Sequence, residues 1–248
     1  ADGLIGYVQS ELLDRDGLET LCREFPLEDV AISYELSEVE DKDWNEAWEN
    51  EGFDPIIIAD RVVIYDARRP SPDTLHQSPV IPIAIEARQA FGTGTHQTTR
   101  MVVQTLLNIE LTGKRVLDCG CGTGILSLTA SKLGADAVVG YDIDDWSVEN
   151  TKHNARLNNV ENLEVFTGDA TVLSHISGVF DVVMANINRN ILLNDMTAFK
   201  DVMRPNALLV LSGFYVDDAP MLIEQARALG LTEINRRTED DWCCLVLK

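Results

Sequence analysis

The sequence lacks long hydrophobic runs. Its 248 residues contain no stretch approaching the roughly 20 apolar residues that cross a bilayer. Residues 1–5 have neither the basic start nor the apolar centre of a signal peptide. We therefore expect a cytoplasmic protein that makes no contact with a membrane.

Cysteine is scarce as well. The chain has five cysteines, at positions 22, 119, 121, 243 and 244. Their spacing does not match a zinc site, and a cytoplasmic location favours reduced thiols. We expect these residues to be reduced and structural, and we expect no bound metal.

Positive charge is also in short supply. Twenty Lys and Arg residues stand against 41 Asp and Glu residues, which gives a net charge of −21. Such a field repels nucleic-acid phosphates and attracts basic proteins, although acidity can equally serve solubility alone. The composition therefore disfavours direct binding of nucleic acid and favours a lysine-rich protein partner. We expect the chain itself to be a monomer.

The residues that are present divide the chain into zones of different texture. Residues 1–37 show patterns for a strand at 4–8, a helix at 17–22 and a strand at 30–36. That is too little for a stable domain. The polar segment 38–48 ends in two tryptophans and is interpreted as a linker. We expect residues 49–248 to form the main domain.

The main domain alternates strands and helices. Near-continuous apolar strands separated by helices are typical of a doubly wound parallel sheet, so the predicted fold class is α/β. A short acidic turn between the last two strands predicts a C-terminal antiparallel hairpin. The predicted strands lie at 56–58, 62–65, 116–118, 137–142, 163–166, 180–185, 207–211, 232–237 and 242–247. One helix is predicted to begin near residue 98, and four more are predicted at 125–133, 146–158, 190–203 and 217–229. Residues 70–82 are predicted as a loop.

A glycine loop follows the strand that ends at Asp118. Gly120, Gly122 and Gly124 precede a helix, so the backbone can turn tightly and approach a ligand closely. The spacing D-x-G-x-G-x-G differs from the dinucleotide fingerprint, which would need a glycine at Ile125. It suits a nucleoside joined to an amino acid without phosphate, and therefore S-adenosylmethionine. A tight turn without a ligand is the alternative.

Two aspartates follow the next strands. Asp142 lies about 20 residues after the glycines, where a carboxylate accepts both ribose hydroxyls of an adenosine. Capping of the following helix is the alternative role, but Asp144 and Asp145 are better placed for it. Asp169 can reach the adenine amino group or can serve only as a turn residue.

Asn186 follows the next strand, at the point where the sheet changes direction. A carboxamide and a backbone carbonyl here can accept hydrogen bonds from an amine and aim its lone pair at a methyl carbon. We therefore predict a catalytic role for Asn186. A turn asparagine is the alternative.

The segment 90–99 is rich in glycine and threonine. Phe91, Gly92 and Thr93 are predicted to belong to a mobile flap over the cofactor, and Thr99 lies in the helix that follows. His96 resembles a catalytic residue, but an isolated histidine near a helix start is more often structural.

These motifs together resemble the bacterial ribosomal protein L11 methyltransferase family. The resemblance rests on residues 90–99, on the loop D-x-G-x-G-x-G-I-L at 118–126, on residues 140–144 and on residues 185–187. It runs from about Trp44 to the C-terminus. Two positions depart from the family pattern: residues 86–89 replace a frequent Pro-Gly pair, and Asn188 replaces a leucine.

The resemblance implies a class I methyltransferase domain with a seven-stranded, Rossmann-like sheet. It implies cofactor contacts at Thr99, Gly120, Asp142 and Asn186. It also implies a small α+β N-terminal domain that recognises the substrate, and residues 1–37 are expected to be an incomplete version of that domain.

The activity implied is methyl transfer from S-adenosylmethionine to lysine side chains or the N-terminal amine of ribosomal protein L11. Two alternatives remain open. An RNA or DNA base methyltransferase would use the same fold, but such enzymes commonly carry Asn-Pro-Pro-aromatic, and Ile187 and Asn188 replace the prolines. A binding module without catalysis would also share the fold.

Overall fold

The smaller of two units contains one described helix. The computed structural model describes residues 13–23, 33–37, 52–76, 80–87, 92 and 94–248, and the chain divides into the units Ala1–Asp43 and Trp44–Lys248. Helix α1 spans Arg15–Arg23, as predicted at 17–22. Gly17 donates its N–H to Asp14 Oδ1 at 2.9 Å, which satisfies a backbone donor at the helix start.

The other predictions for this region have mixed outcomes. Residues 33–37 have no strand structure, so the strand predicted at 30–36 is wrong over its described part. The strand predicted at 4–8 and the linker at 38–48 lie outside the described residues. The division into 1–37, 38–48 and 49–248 stays a prediction.

The larger unit begins with a three-stranded sheet. Strands β1 (Ile56–Ile58) and β2 (Val62–Asp66) pair antiparallel as neighbours in the chain, and β3 (Ile81–Ile85) joins β2 in parallel. Strands β1 and β2 were predicted, whereas β3 falls partly in the segment predicted as a loop. Pro82 suggested a loop because it cannot donate to a ladder, but β3 lies at the sheet edge, where a proline is tolerated.

The main sheet has seven strands in the order β6-β5-β4-β7-β8-β10-β9. Strands β4 to β8 pair in parallel, and β10 pairs antiparallel with both β8 and β9. The predicted α/β class, seven-stranded sheet and terminal hairpin are confirmed. The strands are β4 Arg115–Cys119, β5 Ala137–Asp142, β6 Leu163–Thr167, β7 Phe180–Asn186, β8 Met203–Tyr215, β9 Glu233–Glu239 and β10 Trp242–Leu247.

Helices cover both faces of this sheet. Successive residues of β4 enter different cores, since Val116 belongs to one buried cluster and Leu117 to the other. Each predicted helix is present in the main domain. Strand β8 is longer than the strand predicted at 207–211. The helices are α2 Gln97–Leu106, α3 Ile125–Lys132, α4 Asp145–Leu157, α5 Arg189–Asp201 and α6 Ala219–Ala228. None of the helices described here is long and apolar enough to cross a membrane.

Asparagine side chains in α4 and at its C-cap attach the helix to the free edge of β3. Asn158 donates from Nδ2 to the carbonyl of Ala84 at 2.7 Å and accepts from the Ala84 N–H at 2.9 Å. Asn154 accepts from the N–H of Glu86 at 3.0 Å. Both asparagines are buried, so they complete the strand edge in place of a fourth strand.

The order of the strands places a switch point between β4 and β7. The chain runs from β4 outward through β5 and β6, and then returns to the other side of β4 as β7. In such sheets the ligand crevice lies beyond the carboxyl ends of the two central strands. The glycine loop after β4 and Asn186 at the end of β7 therefore share this edge.

Candidate active site

The glycine loop turns sharply where β4 ends. Gly120 and Cys121 both donate their N–H groups to the carbonyl of Tyr141, at 2.8 and 3.1 Å. Gly124 has φ of 81° and precedes α3. A Cβ on Gly124 would lie 2.8 Å from Thr151 Cγ2, so the position requires glycine for both its dihedral angle and its packing.

Asp118 anchors the helix that follows the loop. Its Oδ2 accepts from Ser127 N at 3.0 Å and from Ser127 Oγ at 2.6 Å. Its Oδ1 is buried without a hydrogen-bond partner among the described residues. Burial raises the pKa of Asp118 to about 6, with a further increase from the charge of Asp142, while the bonds from Ser127 oppose the shift. The unpaired oxygen is an acceptor that a cationic donor would satisfy.

Asp142 lies at the carboxyl end of β5, half-buried. Its Oδ2 accepts from the N–H of Gly122 at 2.9 Å, and its Oδ1 accepts from Asp144 N at 3.2 Å. Asp144 caps α4 by accepting from Trp146 and Ser147. Capping therefore falls to Asp144 as expected, and the Asp142 carboxylate retains lone pairs for a ligand.

Asp169 is exposed and caps the short 3-10 helix Ala170–Ser174. Its Oδ1 accepts from Thr171 N at 2.9 Å and from Thr171 Oγ1 at 2.6 Å. These bonds lower the pKa of Asp169. The turn role is observed, and the contact with adenine stays a prediction.

Asn186 is the last residue of β7 rather than the first residue after it. Its Nδ2 lies 3.5 Å from Thr99 Oγ1, which orients the carboxamide. Its Oδ1 is buried with no hydrogen-bond partner in the described part of the chain. The fold brings Thr99 and Asn186 together from distant segments of the chain. The Oδ1 of Asn186 is left as a hydrogen-bond acceptor that no described residue satisfies.

The described part of the predicted flap lies against the glycine loop. The carbonyl of Gly92 accepts from Thr123 Oγ1 at 2.5 Å. Phe91 and Thr93 lie outside the described residues. His96 caps α2 by accepting from Thr98 N at 3.3 Å, so its expected structural role is confirmed.

An aromatic cluster, which the sequence did not indicate, lies at the same edge. The ring of Trp242 stacks on Tyr215 at 4.3 Å, and His96 meets Trp242 edge-on at 4.6 Å. Tyr215 is exposed. No spacing pattern could have joined these residues, because they come from the N-cap of α2, from β8 and from β10. Arg100 and Glu239 form an ion pair that links α2 to the hairpin.

Thr151 is a second residue that sequence reasoning missed. It is buried in α4 and donates from Oγ1 to the carbonyl of Gly122 at 2.8 Å. Together with Asp142, it fixes Gly122 through both its carbonyl and its N–H. A threonine within a helix gives no local signal of such a contact.

The cysteines of the site are not arranged as a metal centre. All five are free thiols, and Cys119 and Cys121 are buried within the motif that forms the glycine loop. Burial raises the pKa of both, so they stay protonated near neutral pH. Among the residues that can be described, no group of His, Cys, Asp and Glu could hold a metal ion.

Comparison with known proteins places these features in one family. The model of the ribosomal protein L11 methyltransferase (PrmA) family matches residues 6–248. The ribosomal protein L11 methyltransferase of Phocaeicola vulgatus is 42% identical over 244 residues, covering 98% of this chain and 85% of that protein. The corresponding protein of Bacteroides fragilis is 44% identical over 248 residues, with the same coverage of both chains.

A solved structure supports the fold. The crystal structure of ribosomal protein L11 methylase from Lactobacillus delbrueckii subsp. bulgaricus aligns with a TM-score of 0.71 and 24% identity, covering 79% of this chain and 98% of that one. The family match begins at residue 6, nearer the N-terminus than the start at about Trp44 expected from the motifs. The chain therefore belongs to the ribosomal protein L11 methyltransferase family and is an S-adenosylmethionine-dependent methyltransferase.

Proposed function

We propose that this chain methylates amino groups of ribosomal protein L11, on lysine side chains or at the N-terminus. The relatives from Phocaeicola vulgatus and Bacteroides fragilis carry that substrate in their names. The observation that carries the proposal for this chain is the buried Oδ1 of Asn186 beside the glycine loop, which has no hydrogen-bond partner among the described residues. An orphaned acceptor at this edge suits an amine as its ligand.

The residues around the loop suit S-adenosylmethionine. Its ammonium and ribose hydroxyls are hydrogen-bond donors. The site offers two acceptors, the carboxylate of Asp142 and the Oδ1 of Asp118, which no described residue contacts by a hydrogen bond. Gly120 and Gly124 let the loop turn tightly at the site, because a Cβ on either would clash with the side chain of Ile187 or Thr151. Phe91, Gly92 and Thr93 are proposed to cover the cofactor, and Asp169 is proposed to reach adenine. The bound cofactor supplies an electrophilic methyl group on a positively charged sulfur.

Asn186 is proposed to orient the accepting amine. Its Oδ1 accepts one N–H, which directs the nitrogen lone pair away from the carboxamide and toward the donor side. Thr99 holds the carboxamide from the other side. A lysine amine with a pKa near 10.4 must first lose a proton, which costs about 4–5 kcal/mol at neutral pH. Desolvation beside a positive sulfur lowers that cost.

The aromatic cluster is proposed to receive the substrate chain. Tyr215 and Trp242 present stacked rings at the edge that holds Asn186. Apolar methylenes of a lysine pack well on such rings, and its charge is attracted to their faces. The net charge of −21 further favours a basic protein. We propose that residues 1–37 recognise the rest of the substrate. We also propose that the enzyme is a monomer and that the reaction takes place in the cytoplasm.

The rival functions fit these contacts less well. Base methyltransferases commonly place prolines after the asparagine, whereas Ile187 and Asn188 follow it here, and Asn188 caps α5. A module that only binds S-adenosylmethionine needs no group to orient an accepting amine, which is the role proposed for the Oδ1 of Asn186.

Mass spectrometry tests the proposal. Recombinant ribosomal protein L11 is incubated with enzyme and methyl-labelled cofactor, and labelled peptides are then sequenced. We expect label on lysine nitrogen or the N-terminal nitrogen, and much less label with Asn186→Ala. An unlabelled protein after incubation with a folded, cofactor-binding enzyme would contradict the proposal.

A further inference from the structure

Ile187 lies directly after the proposed amine-holding residue and is fixed by its backbone. Its N–H donates to the carbonyl of Ser212 at 3.1 Å, and Ser212 is the strand partner of Asn186. Ser212 is buried and donates from Oγ to the carbonyl of Cys243 at 2.8 Å. The end of β7 is therefore secured to β8 and, through it, to β10.

Gly213 allows Ile187 to approach β8 this closely. In the pairing of β8 with β10, Cys244 faces Ser212 and Cys243 faces Phe214, so Gly213 is an extra residue in a bulge. Its φ is +90°, in the region that favours glycine. A Cβ here would lie 2.5 Å from the carbonyl oxygen of Ile187 and 2.8 Å from its nitrogen. Backbone atoms cannot rotate away as a side chain can.

The side chain of Ile187 touches the cofactor loop on its other side. A Cβ on Gly120 would lie 2.4 Å from Ile187 Cγ2. Gly120 also has positive φ, at 74°, and is held by the carbonyl of Tyr141. One residue thus fills the gap between the glycine loop and the bulge of β8.

We propose that Ile187 is a positioning residue, clamped between Gly213 and Gly120, that sets the spacing between the Asn186 carboxamide and the cofactor loop. Methyl transfer requires donor and acceptor atoms in line and close together, so a shift of this spacing slows the reaction step more than it weakens either ligand. The inference rests on the proposed role of Asn186. A residue that served only core packing would change stability and leave the reaction of the folded enzyme intact.

The first test compares two alanine substitutions at glycines with positive φ. Gly213→Ala introduces both dihedral strain and the clash with Ile187, whereas Gly230→Ala, at φ +78°, has no atom within 4 Å of the new Cβ. We expect Gly213→Ala to lower kcat by about tenfold or more while the Kd for S-adenosylmethionine changes less than about threefold. Gly230→Ala should keep kcat. Unchanged kcat in folded Gly213→Ala would overturn the proposal.

A double-mutant cycle decides the case even when Gly213→Ala does not fold. Gly120→Ala clashes with Ile187 Cγ2, and Ile187→Leu removes that branch while keeping the side-chain volume. We expect Ile187→Leu to restore kcat/KM of Gly120→Ala by about fivefold or more. The same change should not rescue Gly124→Ala, whose clash is with Thr151. Absence of rescue, or equal rescue in both cycles, would overturn the clamp.

The wild-type reaction in the same assay separates the two proposals. Failure of the wild-type enzyme to methylate ribosomal protein L11 would contradict the proposed function. Wild-type methylation without selective rescue in the Gly120 cycle would contradict only the clamp.

Discussion

Gly122 donates its backbone N–H to the carboxylate of Asp142 across 2.9 Å, so the residue proposed to bind the ribose also holds the cofactor loop. The carbonyl of the same glycine is held by Thr151. A ligand contact and a loop anchor thus meet in one carboxylate. Removing it affects both the acceptor for the ribose and the shape of the loop.

We therefore predict that Asp142→Ala weakens binding of S-adenosylmethionine by about 1.5–3 kcal/mol, or about 10- to 150-fold. Isothermal titration calorimetry measures the change. Asp145→Ala, an exposed neighbour in the first turn of α4, is the control and should leave affinity unchanged. Asp142→Asn keeps an acceptor for Gly122 and should lose less. Unaltered affinity in a folded Asp142→Ala protein would move the ribose contact elsewhere.

Asn186→Ala should separate binding from chemistry. The proposed bond of Oδ1 is to the amine, so we expect turnover to fall by about 10- to 100-fold while the cofactor Kd changes far less. Steady-state kinetics and calorimetry measure the two effects. Asn194→Ala, on the exposed part of α5, is the matched control. Wild-type turnover in Asn186→Ala would end the assignment.

The buried carboxyl of Asp118 should make stability depend on pH. Its pKa is about 6 in the folded protein against 3.8 as the ordinary value, chiefly because burial disfavours the charged form. The stability that it contributes is complete below pH 3.8 and is lost as the pH rises through about 6, because only the unfolded chain ionises freely in that window. The side chain of Asp118→Asn cannot ionise. As the pH rises through this window, the free energy of unfolding of the variant should therefore increase relative to that of the wild type.

Urea denaturation at a series of pH values measures that difference. Asp169→Asn is the control with the opposite sign, because hydrogen bonds from Thr171 lower the pKa of Asp169. The free energy of unfolding of the wild type should therefore increase relative to that of Asp169→Asn as the pH rises through the acid range. Parallel curves for wild type and Asp118→Asn would refute the raised pKa.

The asparagine contacts of α4 should be essential for stability. Asn158→Ala leaves the buried N–H and carbonyl of Ala84 unpaired, so we expect the free energy of unfolding to fall by about 2–4 kcal/mol. Chemical denaturation measures this loss. An exposed asparagine without such contacts to a strand, such as Asn194, should change stability by less than about 0.5 kcal/mol when replaced by alanine. A loss equally small at Asn158 would show that β3 does not depend on this side chain.

Local patterns predicted most of the main sheet. The glycine spacing and the aspartate that ends β5 are short-range signals, because each depends on a strand, a turn and the start of a helix. Strand β3 was missed because Pro82 reads as a loop residue, and its edge position depends on pairing with distant Val63. A strand predicted at 30–36 rested on alternation alone, and alternation does not establish a pairing partner.

The parts of the site that sequence could not predict are contacts between distant segments. The approach of Thr99 to Asn186 joins α2 to β7, and the clamp on Ile187 requires a bulge at Gly213. The residues next to these four in the sequence give no signal of either contact. Only the paired strands bring them to one edge.

The most direct test of the account is a side-by-side count of labelled methyl groups on free ribosomal protein L11 and on protein-free ribosomal RNA. With its net charge of −21, the enzyme should attract the basic protein and repel the RNA. We predict strong labelling of the protein and little of the RNA, with the protein reaction slowing as salt rises from low to moderate ionic strength. Strong labelling of the RNA, with none on the protein, would contradict the account.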